Sequence, residues 1–243
     1  MEYLRVSART GAALAALLAV SVLSASAQRA DPDISGIYWT TQYNAKVQIV
    51  GGGDLPFTPA GKAAYDKNVA GLKDGSIPDD ARKFCVPDGP VRTLAGPYPF
   101  EIVQAPPGQI TILYELNHQI RVVRMGKPLP KYEELVAYPA YNGYSVGKFD
   151  GDTLVVETGG FKEKTYLDAT GVPHTDELTT VERIRKISPM QLEIVITVHD
   201  PDYYTRDWQA RFVYNLRNDL RIEDYLCGEP HRDISSIPGV RRP

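Results

Sequence analysis

Tyr144-Ser145-Val146-Gly147-Lys148-Phe149-Asp150-Gly151-Asp152-Thr153-Leu154-Val155-Val156-Glu157-Thr158 decides the fold class. Its two halves are strand-like, and between them stands Asp150-Gly151, a dipeptide that suits a two-residue type I′ turn because both positions tolerate φ > 0. The stretch reads as a hairpin with strands over 144–149 and 152–158. On its C-terminal side, 178–187 and 192–198 flank Ser188-Pro189-Met190 as a second hairpin, and 208–216 and 221–227 complete the strands. On its N-terminal side, 100–104, 109–116 and 119–125 form a meander broken at Pro106-Pro107-Gly108 and at Asn117-His118. Ile110, Ile112 and Tyr114 alternate there against Thr111, Leu113 and Glu115. Ile37-Tyr38-Trp39 reads as an opening strand and Gly51-Gly52-Gly53 as a flexible connection. The clear helix signal is Thr58 as N-cap, Pro59 in the first position, an Ala-rich run over 60–72 and a stop at Gly75, which predicts one short peripheral helix.

Strands in sequence order joined by short turns predict an all-β domain, an antiparallel up-and-down barrel of lipocalin-like architecture. A barrel of about eight strands can hold one small ligand inside. The chain of 243 residues divides into a signal peptide over 1–27, the barrel over 28–230 and a loose polar tail over 231–243. Arg5 and Arg9, then an apolar run over 11–23, then Ala25-Ser26-Ala27 come in the order a signal peptidase reads. The expected location is periplasmic or secreted. No later segment approaches the roughly 20 apolar residues of a spanning helix, so no membrane anchor is expected. A formal net charge of −3 gives no basic cluster to neutralise phosphate, so no nucleic-acid partner is expected either. Cys85 and Cys227 are the only cysteines. In an oxidising compartment they predict one disulfide, with two separate buried thiols as the alternative.

Several constellations could carry chemistry. Gly143-Tyr144-Ser145-Val146-Gly147, with His174 downstream and Asp152 and Asp168 between, has the chain order of a serine hydrolase. It lacks the strand–turn–helix context that a nucleophile elbow requires. His118, His174, His199 and His231 are scattered without a partner at ligand spacing, so no metal site is expected. His174 follows the proline-fixed turn at Pro173 and has Asp176 and Glu177 beside it, so a carboxylate could orient it as an acid/base group; the alternative is a surface turn whose His caps a strand end. By alternation Glu115 shares a face with Leu113, and Arg121 with Val123; if those faces point inward, the barrel holds a carboxylate and a guanidinium that need each other. Tyr98, Tyr144 and Trp208 could wall an aromatic ligand pocket with Glu101 among them.

Cys85-Val86-Pro87-Asp88-Gly89, Tyr98-Pro99-Phe100-Glu101-Ile102, Ile112-Leu113-Tyr114-Glu115, 151–158, Pro173-His174-Thr175-Asp176 with Glu182-Arg183, and 223–227 together resemble a widespread, largely uncharacterised family of exported bacterial β-rich proteins. The resemblance covers about residues 57–229 and implies one exported β-rich domain, with no settled activity. The chain departs from it at 125–130 and at Tyr144, where the family usually carries histidines.

These readings combine into an expected cofactor-independent acid/base enzyme, of lyase or isomerase type, acting on a small apolar or aromatic molecule in a barrel cavity. His174 would move the proton, with Asp176 or Glu182 orienting it. Arg121 and Tyr114 would stabilise negative charge, Glu115 would hold Arg121, and no cofactor would take part. The alternative is a non-catalytic periplasmic carrier or sensor of an apolar ligand; a third reading is a structural protein of the envelope.

Overall fold

The computed structural model describes residues 31–225 and 227. The expected signal peptide over 1–27 and the tail over 231–243 lie outside the described residues.

Nine strands close into one barrel in sequence order: β1 (Gly36–Thr40), β2 (Phe100–Val103), β3 (Gln109–Tyr114), β4 (Gln119–Met125), β5 (Tyr144–Asp150), β6 (Thr153–Gly159), β7 (Thr179–Ser188), β8 (Gln191–His199) and β9 (Trp208–Leu216). Every neighbouring pair is antiparallel except β4 and β5, which run parallel through Val123↔Ser145, Arg124↔Val146 and Met125↔Gly147. Around a closed ring the strand direction must reverse an even number of times, so an odd strand count forces a parallel junction. The wholly antiparallel order expected from sequence is therefore corrected at this seam. Its long connection, which carries α4 (Tyr132–Ala137), brings the chain back to the end from which β4 set out.

The expected hairpin forms, but its turn lies one residue further on: Asp150 pairs with Thr153 inside the ladder, so the two turn residues are Gly151, at φ 64°, and Asp152, and Asp150 does not take the positive φ of a type I′ turn centred on Asp150-Gly151. The predicted final strand does not form, for 221–225 are not in a strand. β9 already meets β1 through Tyr38↔Leu216 and Thr40↔Tyr214, so the closed ring offers no free edge to a further strand.

The predicted helix is α1 (Pro59–Asp74). Its N-terminus is capped by Thr58 Oγ1, which accepts from the Gly61 amide at 3.0 Å, and Gly75 ends it in the left-handed region. Among the described residues three other short α-helices accompany it, α2 (Asp80–Phe84), α3 (Pro90–Ala95) and α4, and a 3-10 turn over Leu116–His118. Five or six residues are too few to show an amphipathic period, which is why sequence reading missed them. All six residues of α3 are buried, and the Tyr214 hydroxyl donates to the Leu94 carbonyl at 2.6 Å, so tertiary packing rather than propensity makes this helix.

The inward faces follow the period of two. Ile110, Ile112 and Tyr114 of β3 meet Val123, Arg121 and Gln119 of β4 in register, and Leu192, Ile194, Ile196 and Val198 of β8 continue the core. Among them Phe100 stacks on Tyr38 and meets Tyr214 edge-to-face. Cys85 and Cys227 are bridged with Cα atoms 5.7 Å apart, so the predicted disulfide forms. It ties the region before α3 to the chain beyond β9. The same distal segment is held by two further bonds: the Glu223 amide donates to Glu115 Oε2 at 3.1 Å, and the Tyr225 amide to His118 Nε2 at 2.7 Å. Among the described residues no helix is long and apolar enough to cross a membrane.

Candidate functional site

Among the described residues, two groups of buried ionisable side chains bear on a site; Glu193 of β8, paired with Arg185 and Arg211, is buried apart from both. The first is the barrel lumen. β4 and β7 point Arg121 and Glu182 inward, each side chain 1% exposed. Arg121 Nη1 donates to Glu182 Oε1 at 3.0 Å and Nη2 to Oε2; Nη2 also donates to Thr158 Oγ1 at 2.7 Å, and Nε to Ser145 Oγ at 2.9 Å. Burial works against the guanidinium charge, but Glu182 and, after it, Tyr114 together outweigh it and hold Arg121 protonated. All three guanidinium nitrogens are thus engaged within the protein. The carboxylate of this pair is Glu182, not Glu115 as the alternation suggested. The parity of β3 holds, but the Leu113 and Glu115 face is the outer one, and Glu115 binds the 223 amide instead. Glu182 in turn does not orient His174. The Tyr114 hydroxyl lies beside the pair, is raised in pKa by burial and has no hydrogen-bond partner of good geometry.

Arg121, Tyr38, Tyr214, Leu154, Ile194 and Ile196 are all less than 2% exposed and occupy the lumen. Side chains therefore fill the space where a ligand-sized hollow was expected, as in barrels whose interior is packed core.

The second place lies beyond the strand ends, in the β6–β7 connection where it passes α3. His174 is 4% exposed. Its Nδ1 sits 2.8 Å from the Thr175 carbonyl, which can only accept, so Nδ1 carries the hydrogen; Nε2 is left with its lone pair and accepts from Thr165 Oγ1 at 2.7 Å. Burial holds the imidazole below the ordinary histidine value, against the Thr175 carbonyl and the Asp200 charge, which favour protonation. The local chain is fixed from behind. Asp200 accepts from the Thr175 amide and hydroxyl, the Tyr204 hydroxyl donates to the Pro173 carbonyl, and Asp168 accepts from the amides of Val47, Thr170 and Val172.

His174 and Thr165 line a cavity of about 10 Å³ together with Asp88, Gly89, Phe161 and Leu178. That is room for about one water molecule. An adjoining cleft shares Asp88 and Thr165 and adds Asp79, Arg92 and Lys164. Arg92 forks onto Asp79 at 3.0 and 2.7 Å, and its Nε stands 3.2 Å from Asp88 Oδ1. Two carboxylates thus share one guanidinium away from water. Asp79 takes the bidentate bonds, and burial, with Asp79 adding to it, pushes the Asp88 carboxyl up despite Arg92. Asp88 Oδ1 makes no hydrogen bond of good geometry.

Of the sequence-predicted residues, His174 alone lies in this cleft, and it is a buried side chain rather than the surface cap of the alternative reading. Asp176 points elsewhere and accepts from the Tyr132 hydroxyl at 3.0 Å, which pushes that phenol up to about 12. Arg121, Tyr114 and Glu182 belong to the lumen. Trp208 is core against Tyr204, Tyr144 lies under the Arg124 guanidinium at 4.1 Å, Tyr98 meets Tyr225 edge-on, and Glu101 is half-buried on the outer face of β2. These four do not gather into one pocket. Sequence reasoning missed Thr165, Asp88 and Arg92; the quoted stretch around Cys85–Gly89 held Asp88, but nothing local linked it to His174. Among the described residues no three His, Cys, Asp or Glu side chains converge to hold a metal ion.

Comparison of the chain with protein-family models and with curated proteins finds no match.

Proposed function

We propose that the protein is exported to the periplasm or beyond and is a cofactor-independent acid/base enzyme for a small apolar or aromatic molecule, working in the cleft between α3 and the β6–β7 connection rather than in the lumen. The observation that carries this is the pairing in one cavity of a histidine kept neutral, with its tautomer fixed, and a carboxyl group pushed toward its protonated form. Neighbouring titratable groups whose environments favour a free base and a held acid are those that proton-transfer catalysis needs. His174 Nε2 takes a proton from the substrate as it gives up the hydrogen bond from Thr165, and Asp88 donates to the oxygen on which negative charge develops. Phe161 and Leu178 supply an apolar wall. Lyase or isomerase chemistry needs only these two transfers. Export is supported by the disulfide, by the charged, apolar and small-residue order of 1–27 and by the family resemblance. A lipocalin-like reading of the barrel rests on its sequential strand order.

The test is exchange of acidic C–H protons for deuterium, followed by NMR across a panel of small aromatic ketones, lactones and unsaturated acids. The proposal expects turnover of at least one compound and a loss of about 100-fold or more in His174→Gln, the scale of a missing general base. A panel wholly inert with wild-type protein, together with no thermal shift by any member, would sink it. That outcome would favour the structural reading, to which the filled lumen already lends weight.

A further inference from the structure

We infer that the same cleft carries a second activity, nucleophilic acyl transfer, with the Thr165 hydroxyl as nucleophile, His174 as its base and small carboxylic esters or lactones as the substrate class. Proton transfer alone requires His174 and Asp88; this inference goes beyond it and rests on Thr165.

Three observations carry it. The hydroxyl stands 2.7 Å from the imidazole nitrogen that bears the lone pair, and the other nitrogen is anchored 2.8 Å from a backbone carbonyl. A hydroxyl, a base within hydrogen-bond reach and a third group orienting that base are the parts an activated nucleophile needs. Thr165 also borders both the His174 cavity and the adjoining cleft; together these hold about one water molecule, so an ester has to part their walls to reach the hydroxyl. Finally, Gly89 (φ 79°) puts no side chain against the hydroxyl: a Cβ there would stand in ordinary contact with Thr165 Oγ1 at 3.5 Å and 3.3 Å from the Tyr141 carbonyl oxygen.

In the step proposed, Oγ1 bonds to the acyl carbon as its proton passes to His174 Nε2. The bond from the acyl carbon to the alkoxy oxygen then breaks, and that oxygen leaves with the proton from the imidazolium. Water, deprotonated by the same nitrogen, cleaves the threonyl ester, releasing the carboxylic acid and restoring Thr165. No redox partner is consumed.

The experiment is covalent capture of the full chain with an alkyl fluorophosphonate and, separately, a β-lactone, read by intact mass and peptide mapping. One adduct per chain on Thr165 is expected, absent in Thr165→Ala, retained in Thr165→Ser and slowed about 100-fold in His174→Gln. An adduct mapped elsewhere, no adduct with either probe on protein whose native fold is verified by near-ultraviolet circular dichroism, or equal labelling of Thr165→Ala would each overturn the inference. Should Thr165→Ala fail to fold, the wild-type map and the serine variant still decide. Proton exchange that survives without any capture would sink this inference and leave the acid/base reading standing.

Discussion

The lumen and the cleft both keep ionisable side chains from water, by opposite means. In the lumen a guanidinium and a carboxylate face each other as an ion pair, with Ser145 and Thr158 taking two further guanidinium donors. In the cleft the environment pushes charge away: His174 is held toward its neutral form and Asp88 toward its protonated one, with one guanidinium between two carboxylates close by. The difference separates structure from chemistry. The ion pair fixes its protons in charged hydrogen bonds, whereas a base held toward its neutral form and a carboxyl held toward its protonated form can pass them on. Burial alone, the usual flag for a functional polar residue, would have chosen the lumen, where Glu182 and Arg121 are the most hidden charges in the barrel.

The largest expected effect breaks the lumen pair on one side. Glu182→Ala strands a guanidinium in a packed core and should cost about 3–5 kcal/mol, whereas replacing both partners, as Arg121→Met with Glu182→Leu, should leave stability within about 1–2 kcal/mol of wild type. Urea unfolding measures both. A single variant losing less than about 1 kcal/mol would mean that solvent reaches Arg121, and the contrast with the cleft would fail.

Next in size is the disulfide. Cys85→Ser with Cys227→Ser should cost about 2–4 kcal/mol, since the bridge closes a loop spanning 142 residues of sequence. The loss should also be uneven. Cys85 stands just before Asp88 and Gly89, so amide exchange over 86–95 should quicken while amides of β4 and β7 keep their protection. Equal loosening in both would show that the bridge supports the barrel as a whole and does not distinguish its two buried sites.

Sequence reading recovered the barrel because its evidence is local. Gly151 marks one hairpin to within a residue, the alternation over 109–114 sets the inward face of β3, and Thr58 with Gly75 brackets α1. The parallel seam was not legible, because it follows from the strand count around the closed ring, a global property that a short stretch does not carry. The site was legible one residue at a time but not as a set. Alternation puts Arg121 on one face with Val123 and pairs it with the nearer Glu115 should both faces point inward, whereas its actual partner lies 61 positions away across three strand pairings. His174 drew notice through its neighbours Asp176 and Glu177, while its actual partner, Thr165, is nine positions back in an unpatterned loop. Chain proximity is a poor guide where a long connection folds onto a helix too short to announce itself.

The smallest effects are the sharpest test of the comparison, because the two cleft groups should bend the pH profile of stability in opposite directions. For His174 the unfolded chain takes up a proton near 6.5 while the folded chain, with its lower value, does not. The unfolded state then binds more protons, so stability falls as pH drops from about 6.5 down to the folded value and levels off below it. For Asp88 the unfolded carboxyl releases its proton near 3.8 while the folded one retains it. The folded state then binds more protons, and stability falls as pH rises from about 3.8 up to the folded value. His174→Gln should therefore flatten the acid-side loss that begins near 6.5, and Asp88→Asn should flatten the loss that begins near 3.8, each read from melting temperatures across pH 3 to 8. If Asp88→Asn leaves the profile unchanged, Asp88 is ionised beside Arg92, the cleft becomes a second ion-pair site like the lumen, and His174 has no acid to work with.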